Sequence, residues 1–268
     1  PFAASAFWLG GIPFPNLRQS VLLLISMVSA RTIAMGMNRY LDRQIDSRNP
    51  RTSTRKIPNG ELSPAAGLGW SLIAGFIFVL ASSALSPLAG YCSLPLLAIL
   101  VSYSVMKRVS WLTHWYLGFC LGLAPVGVAI AMTGHADWSV ILLGIGVCFW
   151  TAGFDIIYAL QDSEFDRSQG LKSVPSKFTS SVSINISRFC FSLMIATLTL
   201  VGTIKKLGLF YFAGVAAVAA LLVYEQYLIR DAKLTGKSKN LNVAFFNLNA
   251  YVSLIYLFFV VLEFISHR

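Results

Sequence analysis

The chain has 268 residues, of which 56% are hydrophobic and only 12% are charged. Soluble domains carry about 25% charged residues, so this composition excludes an ordinary soluble protein and indicates a polytopic membrane protein. The net charge of +10 does not indicate a nucleic-acid partner, because the basic residues lie in short loops between apolar spans. The length leaves no room for a separate soluble domain, so we expect a single membrane domain over residues 1–268.

A helix that crosses a membrane needs about 20 apolar residues, and the sequence predicts nine such spans. They lie at about 1–13, 18–42, 65–85, 89–106, 113–133, 138–161, 184–204, 208–229 and 243–265. The first span begins at Pro1 inside an apolar stretch, so we expect it to be truncated. The predicted fold class is therefore all-α, a bundle of nine transmembrane helices.

The second span ends in Asn38, Asp42 and Asp46, which are spaced four residues apart and open a basic loop. We call these three residues cluster 1. On one helix, this spacing places the three side chains on nearly the same face. Mg²⁺ prefers such oxygen ligands, typically one or two carboxylates together with substrate phosphates. A solvated helix end with incidental acids is the alternative.

A second group of acids follows the sixth span. Asp155, Asp162 and Asp166 have the spacing i, i+7 and i+11, which predicts one face of a continuous helix. We call them cluster 2. With Glu164 they make four acids within twelve residues, in a chain that has only 11 acids. Acids beside a membrane segment cost free energy and are usually functional, so the pair of clusters favours the magnesium interpretation.

The loops predict the orientation in the membrane. Fourteen of the 21 Lys and Arg residues follow the second, fourth, sixth and eighth spans: Arg43, Arg48, Arg51, Arg55, Lys56, Lys107, Arg108, Arg167, Lys172, Lys177, Arg230, Lys233, Lys237 and Lys239. The positive-inside rule makes this side cytoplasmic, and both clusters fall on it. The other side holds only Arg18, Lys205, Lys206 and Arg268.

Two acidic clusters on one membrane face can hold two Mg²⁺ ions, and basic side chains from the loops can bind a diphosphate. The apolar spans offer a path for a long hydrocarbon tail. The predicted ligand is therefore an isoprenoid diphosphate. Metal binding would stabilise the departing diphosphate, and the cation-like allylic carbon would alkylate an electron-rich acceptor.

At these residues the chain resembles the UbiA superfamily of membrane prenyltransferases. The similar segments are cluster 1 with Asn49-Pro50-Arg51-Thr52 and Arg55-Lys56-Ile57-Pro58-Asn59-Gly60, the stretch Asp155 to Asp166, Tyr103-Ser104 with Lys107-Arg108, His114, Leu117, Gly118 and Ala124-Pro125 beyond it, and Ala244-Phe245-Phe246 with Asn249. The resemblance implies helices around a central cavity, which the two motif loops cap on the cytoplasmic side.

Four aspartates are the expected Mg²⁺ ligands: Asp42, Asp46, Asp162 and Asp166. Asp42 and Asp162 are also expected to be catalytic. The residues expected to bind the donor diphosphate are Arg51, Lys107, Arg108, Lys172, Asn38 and Tyr158. Each of these residues has an alternative role. The basic residues could instead set the membrane topology or contact anionic lipid headgroups. Tyr158 could be a packing residue, and Asn38 could be a helix cap or a packing residue.

The resemblance implies that Asp155 orients or deprotonates the hydroxyl of the acceptor, with a purely structural hydrogen bond as the alternative. His114 and His135 are expected to be incidental, because a lone histidine at a helix end is rarely a ligand.

Within the superfamily, residues 154–159 are most similar to the branch that prenylates 4-hydroxybenzoate for ubiquinone. The branch that prenylates 1,4-dihydroxy-6-naphthoate for menaquinone is the close alternative. We expect an integral protein of the bacterial inner membrane with a cytoplasmic active site.

Two other functions remain as alternatives. A lyase would ionise the same donor without an acceptor. A transporter would require ionisable groups near the bilayer midplane, whereas nearly all acids here lie at one face.

Overall fold

The structure is a computed structural model that describes residues 1–230 and 248–266. The helices in these ranges are α1 Phe2–Leu9, α2 Leu17–Leu41, α3 Arg43–Arg48, α4 Pro64–Leu85, α5 Pro87–Val109, α6 Thr113–Thr133, α7 Trp138–Ala159, α8 Ser163–Ser168, α9 Val174–Lys177, α10 Ser180–Ile204, α11 Leu209–Leu228 and α12 Asn249–Ser266. A 3₁₀ turn, Leu160–Asp162, joins α7 to α8. No strand occurs in these ranges, so the all-α prediction is confirmed.

Within the described ranges, eight helices are long and apolar enough to cross a membrane, namely α2, α4, α5, α6, α7, α10, α11 and α12. They correspond to eight of the nine predicted spans. The predicted span at 1–13 contains α1, which has eight residues. Such a helix is only about 12 Å long and does not cross a hydrocarbon core of about 30 Å, so the count of nine is not confirmed. Residues 243–247 of the last predicted span lie outside the described part.

The helices group into two compact units. Of the described residues, the smaller unit comprises 14–106 and 130–134, and the larger unit comprises 1–13, 107–129, 135–230 and 248–266. In the smaller unit α2 packs along α4, where a side chain at Gly75 would come within 2.6 Å of Ile33. Trp70 on α4 is 67% exposed, as is typical of a lipid-facing position.

In the larger unit α7 is the most buried of the spanning helices. Leu143 and Ile156 on α7 are fully buried, as are Met194 and Leu198 on α10. The indole N–H of Trp150 donates to the side-chain oxygen of Asn249 over 3.0 Å, which joins α7 to α12. Because α7 is held by several neighbours, its last turn provides a rigid base for the acids of cluster 2.

The first turn of α7 is fixed by Asp137. Its carboxylate accepts a hydrogen bond from the backbone N–H of Ser139 at 2.8 Å and lies 3.0 Å from the ammonium of Lys205. The backbone N–H is the main cause of the lowered pKa of Asp137, and Lys205 adds to it. This acid therefore acts as a helix cap at the end of α7 opposite to cluster 2.

Gly118 and Gly122 lie four residues apart on α6 and mark a close contact between α6 and α7. A Cβ atom at Gly118 would overlap the carbonyl of Cys148, and one at Gly122 would overlap the carbonyl of Gly144. Both carbonyls belong to α7, so the backbones of α6 and α7 touch at these glycines. Small residues at such a contact allow van der Waals packing over the length of the pair.

We expect Gly118→Ala to destabilise the protein by about 1–3 kcal/mol, because the new methyl group meets backbone rather than a flexible side chain. Gly127→Ala on the same helix is the matched control, since no heavy atom lies within 4 Å of its added Cβ. Thermal unfolding in detergent measures both variants. Equal midpoints for the two variants would contradict the assigned contact.

Candidate functional site

Cluster 1 lies at the joint between α2 and α3. Asp42 ends α2 and precedes α3, with φ −91° and ψ 5°. The side-chain amide of Asn38 donates to the Asp42 carboxylate over 2.9 Å, and the backbone N–H of Asp46 donates to the Asp42 carbonyl over 2.7 Å. The helical spacing therefore continues through the joint, as the sequence pattern predicts for this cluster.

Asp46 forms an ion pair within the loop that follows it. Its side chain is only 8% exposed, and Nη1 of Arg55 lies 2.7 Å from its Oδ2. The hydroxyl of Thr52 donates to the Asp46 carbonyl over 3.1 Å, which folds the loop back onto α3. Sequence analysis emphasised Arg51, which is exposed, and did not single out Arg55. The turns of the loop bring Arg55 to Asp46.

Cluster 2 departs from the predicted single helical face. The α-helix ends at Ala159, and the 3₁₀ turn Leu160–Asp162 intervenes before α8. Three residues of 3₁₀ helix turn the chain by about 60° more than three residues of α-helix. Asp155, Asp162 and Asp166 therefore do not belong to one uninterrupted α-helix, and the extra rotation widens the angle between Asp155 and the other two acids. Asp162 and Asp166 are nevertheless both buried, with 7% and 1% of their surface exposed.

Asp166 meets a cation from the end of α5. Nζ of Lys107 lies 3.0 Å from Oδ1 of Asp166, and the two side chains are 34% and 1% exposed. The buried carboxylate of Asp166 is therefore held next to a cation rather than left unpaired. Lys107 therefore contacts an acid of cluster 2, and its contact with a diphosphate stays a prediction.

Lys172 holds the loop after α8 against the end of α5. Its backbone N–H donates to the Lys107 carbonyl over 2.7 Å, and its ammonium donates to the Val109 carbonyl over 2.9 Å. Lys172 thus positions Lys107, and its own contact with a phosphate stays a prediction. Arg108 is exposed beside it, and Tyr158 is half-buried in the last turn of α7.

Asp155 is bonded to a histidine that sequence analysis dismissed as incidental. Nδ1 of His114 lies 2.7 Å from Oδ2 of Asp155, and Nε2 of His114 accepts the backbone N–H of Val174 over 3.1 Å. Because Nε2 is an acceptor, the proton of the neutral ring must be on Nδ1, which donates to Asp155. His114 is 2% exposed, so it fixes one carboxylate oxygen from inside the protein.

The acids of each cluster, taken separately, are of the type that binds a metal ion when a substrate completes its coordination. In the part of the chain that the structure describes, no three or more His, Cys, Asp and Glu side chains gather closely enough to hold a metal by themselves. Mg²⁺ usually binds one or two carboxylates plus substrate phosphates, and dedicated protein cages are unusual for it. The buried carboxylates of Asp46, Asp162 and Asp166 are of the ligand type that Mg²⁺ prefers. The buried side-chain amide nitrogen of Gln161 has no hydrogen-bond partner and can donate to a phosphate.

Comparisons with known proteins identify the family of the chain. The UbiA prenyltransferase family matches residues 1–249. The 4-hydroxybenzoate octaprenyltransferase of Aromatoleum aromaticum is 31% identical over 231 residues, which cover 84% of this chain and 76% of that protein.

Solved structures are similar over nearly the whole chain. The apo structure of a UbiA homolog from Aeropyrum pernix K1 has a TM-score of 0.87 and 27% identity, and the match covers 98% of this chain and 96% of that one. A UbiA homolog from Archaeoglobus fulgidus bound to GPP and Mg²⁺ shares the fold, with a TM-score of 0.68, 20% identity, and coverage of 98% and 93%.

Proposed function

Because the chain belongs to the UbiA prenyltransferase family, we propose that it transfers a polyprenyl group from a polyprenyl diphosphate to 4-hydroxybenzoate. The relatives named 4-hydroxybenzoate octaprenyltransferase support this acceptor, and the homolog bound to GPP and Mg²⁺ supports the donor and the metal. The reaction is a step in ubiquinone biosynthesis.

One observation carries the proposal: in each cluster a buried aspartate meets a basic side chain. The pairs are Asp46 with Arg55 and Asp166 with Lys107. Burying charges is costly, and such pairs often mark functional sites. An acid that binds a metal and a cation that binds a phosphate are the two partners that a metal diphosphate needs.

The donor end of the reaction uses both clusters. Asp42, Asp46, Asp162 and Asp166 would hold the metal, which we expect to be two Mg²⁺ ions. When bound, magnesium neutralises the diphosphate and makes it a better leaving group. Arg55 and Lys107 lie beside these acids and would donate to phosphate oxygens. The allylic C–O bond breaks, and its electron pair leaves with the diphosphate.

The acceptor end of the reaction uses Asp155. Its Oδ2 is held by His114, so Oδ1 is the oxygen that can accept a hydrogen bond from the acceptor hydroxyl. That bond increases the electron density of the ring. The ring carbon beside the hydroxyl then forms a C–C bond to the allylic carbon and releases its proton, which restores aromaticity. His114 is a positioning residue in this scheme.

We expect His114→Leu to raise KM for 4-hydroxybenzoate about ten-fold, because one hydrogen bond that orients Asp155 is lost. KM for the donor should not change. His114→Asn, whose amide can still donate to Asp155, should recover most of the loss. Steady-state kinetics with each substrate varied in turn measure the KM for the acceptor and the KM for the donor separately. A purely structural role would instead lower kcat for both variants and leave both KM values alone.

We further propose that residues 1–268 act as one catalytic domain in the bacterial inner membrane, with the site at the cytoplasmic face. Eight apolar helices support the membrane location. The basic loops after the second and sixth spans support the orientation. A membrane-impermeant thiol reagent is applied to the Ser47→Cys variant. We expect it to label Cys at this position in inside-out vesicles but not in intact cells. Labelling only in intact cells would reverse the orientation.

An acceptor assay tests the function. Purified protein receives geranyl diphosphate and Mg²⁺ with 4-hydroxybenzoate, with 1,4-dihydroxy-6-naphthoate, or with no acceptor. We expect a prenylated benzoate and no diphosphate release without acceptor. A prenylated product that forms with the naphthoate but not with 4-hydroxybenzoate would assign the protein to the menaquinone branch. Diphosphate release without acceptor would indicate a lyase, and no turnover under any condition would contradict the prenyltransferase proposal.

A further inference from the structure

A groove of about 640 Å³ lies between α10 and α11, away from the residues discussed above. Arg188, Gln226 and Arg230 line one part of it, and Ile195, Ala219 and Val223 line another. Val223 is 70% exposed, so the groove opens on the outside of the two spanning helices. Its walls therefore combine cationic and apolar surface in a membrane protein.

The cationic and apolar parts lie at different depths. Nε of Arg188 donates to the Gln226 side chain over 3.1 Å, so these two residues are level with each other. Arg230 is four residues beyond Gln226, about 6 Å farther toward the helix end if the helical rise continued. Ile195 lies seven residues after Arg188 on α10, and Ala219 lies seven residues before Gln226 on α11. Both are therefore about 10 Å closer to the membrane centre than the Arg188–Gln226 pair. The order from the helix end inward is cation, amide, then apolar.

Arg188 retains hydrogen-bonding capacity toward the groove. Its Nε is used by Gln226, and its Nη1 donates to the Asn185 side chain over 3.4 Å. A guanidinium has five N–H donors, so three remain. The guanidinium of Arg230 lies 4.3 Å from the ring centre of Tyr227, which limits its freedom.

No acid is among the residues that line the groove in the described part. Glu225 is adjacent to Gln226 in sequence, but it is 1% exposed and is not one of the lining residues. The lining therefore carries two positive charges and no negative one. This charge is complementary to a single phosphate group.

We propose that this groove binds an anionic phospholipid, with its phosphate between Arg188 and Arg230 and one acyl chain along Ile195, Ala219 and Val223. Charge complementarity selects an anionic headgroup, and each basic residue near a membrane surface favours anionic lipid. The apolar wall selects a lipid over a free phosphate, because a soluble anion would leave that wall uncovered. The proposal does not depend on the reaction that the protein catalyses.

Native mass spectrometry of the purified full chain tests the proposal. The protein is exchanged into detergent with phosphatidylglycerol or phosphatidylcholine, and retained lipid is counted. We expect selective retention of phosphatidylglycerol, reduced about five-fold by Arg188→Gln and by Arg230→Gln. Ala219→Trp, which fills the apolar part and keeps both arginines, should also reduce it. Lys206→Gln removes the same charge from the other end of α10 and should have no effect.

Three results would overturn the proposal. The first is unchanged retention of phosphatidylglycerol in both arginine variants and in Ala219→Trp. The second is an equal reduction by Lys206→Gln, which would show a response to net charge alone. The third is displacement of the lipid by inorganic phosphate at equal concentration, which would identify the groove as a site for a soluble anion.

Discussion

Asp162→Asn is expected to lower the rate of prenyl transfer about 1000-fold, and Asp42→Asn should do the same. Each change keeps the shape of the side chain and removes the charge that a hard cation requires. Asp162 is 7% exposed at the end of the 3₁₀ turn, and Asp42 is bonded to Asn38 at the end of α2. Losing either carboxylate weakens stabilisation of the leaving diphosphate, which is a transition-state effect and should appear in kcat/KM.

The control for these variants is Asp137→Asn. Asp137 caps α7 at the opposite end from cluster 2, and an asparagine keeps the side-chain oxygen that caps the helix. Initial rates with geranyl diphosphate, Mg²⁺ and 4-hydroxybenzoate compare the three variants after size-exclusion chromatography has confirmed that each is folded. Full activity of Asp42→Asn or Asp162→Asn would rule out the role assigned to that cluster.

The second large effect concerns Lys107. We expect Lys107→Gln to lower transfer about 100-fold, because a donor to the phosphate oxygens is lost. The same change leaves the buried carboxylate of Asp166 without its cation. Breaking a fully buried pair costs about 3–5 kcal/mol, and Lys107 is partly exposed, so a loss of about 2 kcal/mol in metal-free stability is expected.

Magnesium distinguishes this account from simple loss of stability. A ligand that binds only the folded state raises its stability by mass action. Mg²⁺ alone should therefore raise the unfolding midpoint of Lys107→Gln more than that of the original protein, because the metal replaces the missing charge at Asp166. Lys206→Gln is the control for removal of one positive charge. The assigned pair would be contradicted if Lys107→Gln had the same unfolding midpoint as the original protein in EDTA and if magnesium did not change that midpoint.

The membrane helices follow from composition, because the bilayer thickness sets the length of an apolar segment. Eight predicted spans overlap helices of the right length, whereas the first falls on the eight-residue α1. The acids of both clusters are also found from the sequence, since they are rare in this chain and lie where apolar segments end. The orientation of the loops in the membrane remains a prediction.

The partners of those acids are not readable from the sequence. His114 and Asp155 are 41 residues apart, and only the packing of α6 against α7 brings them together. Arg55 meets Asp46 because the intervening loop folds into successive turns, and no spacing rule predicts this pair. The 3₁₀ turn after Ala159 breaks the helical periodicity without a glycine or proline as a signal.

The sequence led us to propose that clusters 1 and 2 bind one magnesium diphosphate together. Isothermal titration with a non-ionisable thio analogue of geranyl diphosphate in Mg²⁺ tests it most directly, on the original protein, Asp42→Asn, Asp162→Asn and the double variant. We expect that each single change removes high-affinity binding. The affinity of the double variant should be no lower than that of either single variant, because both acids serve one site. Undiminished binding after either single change would show that the two clusters do not share a ligand.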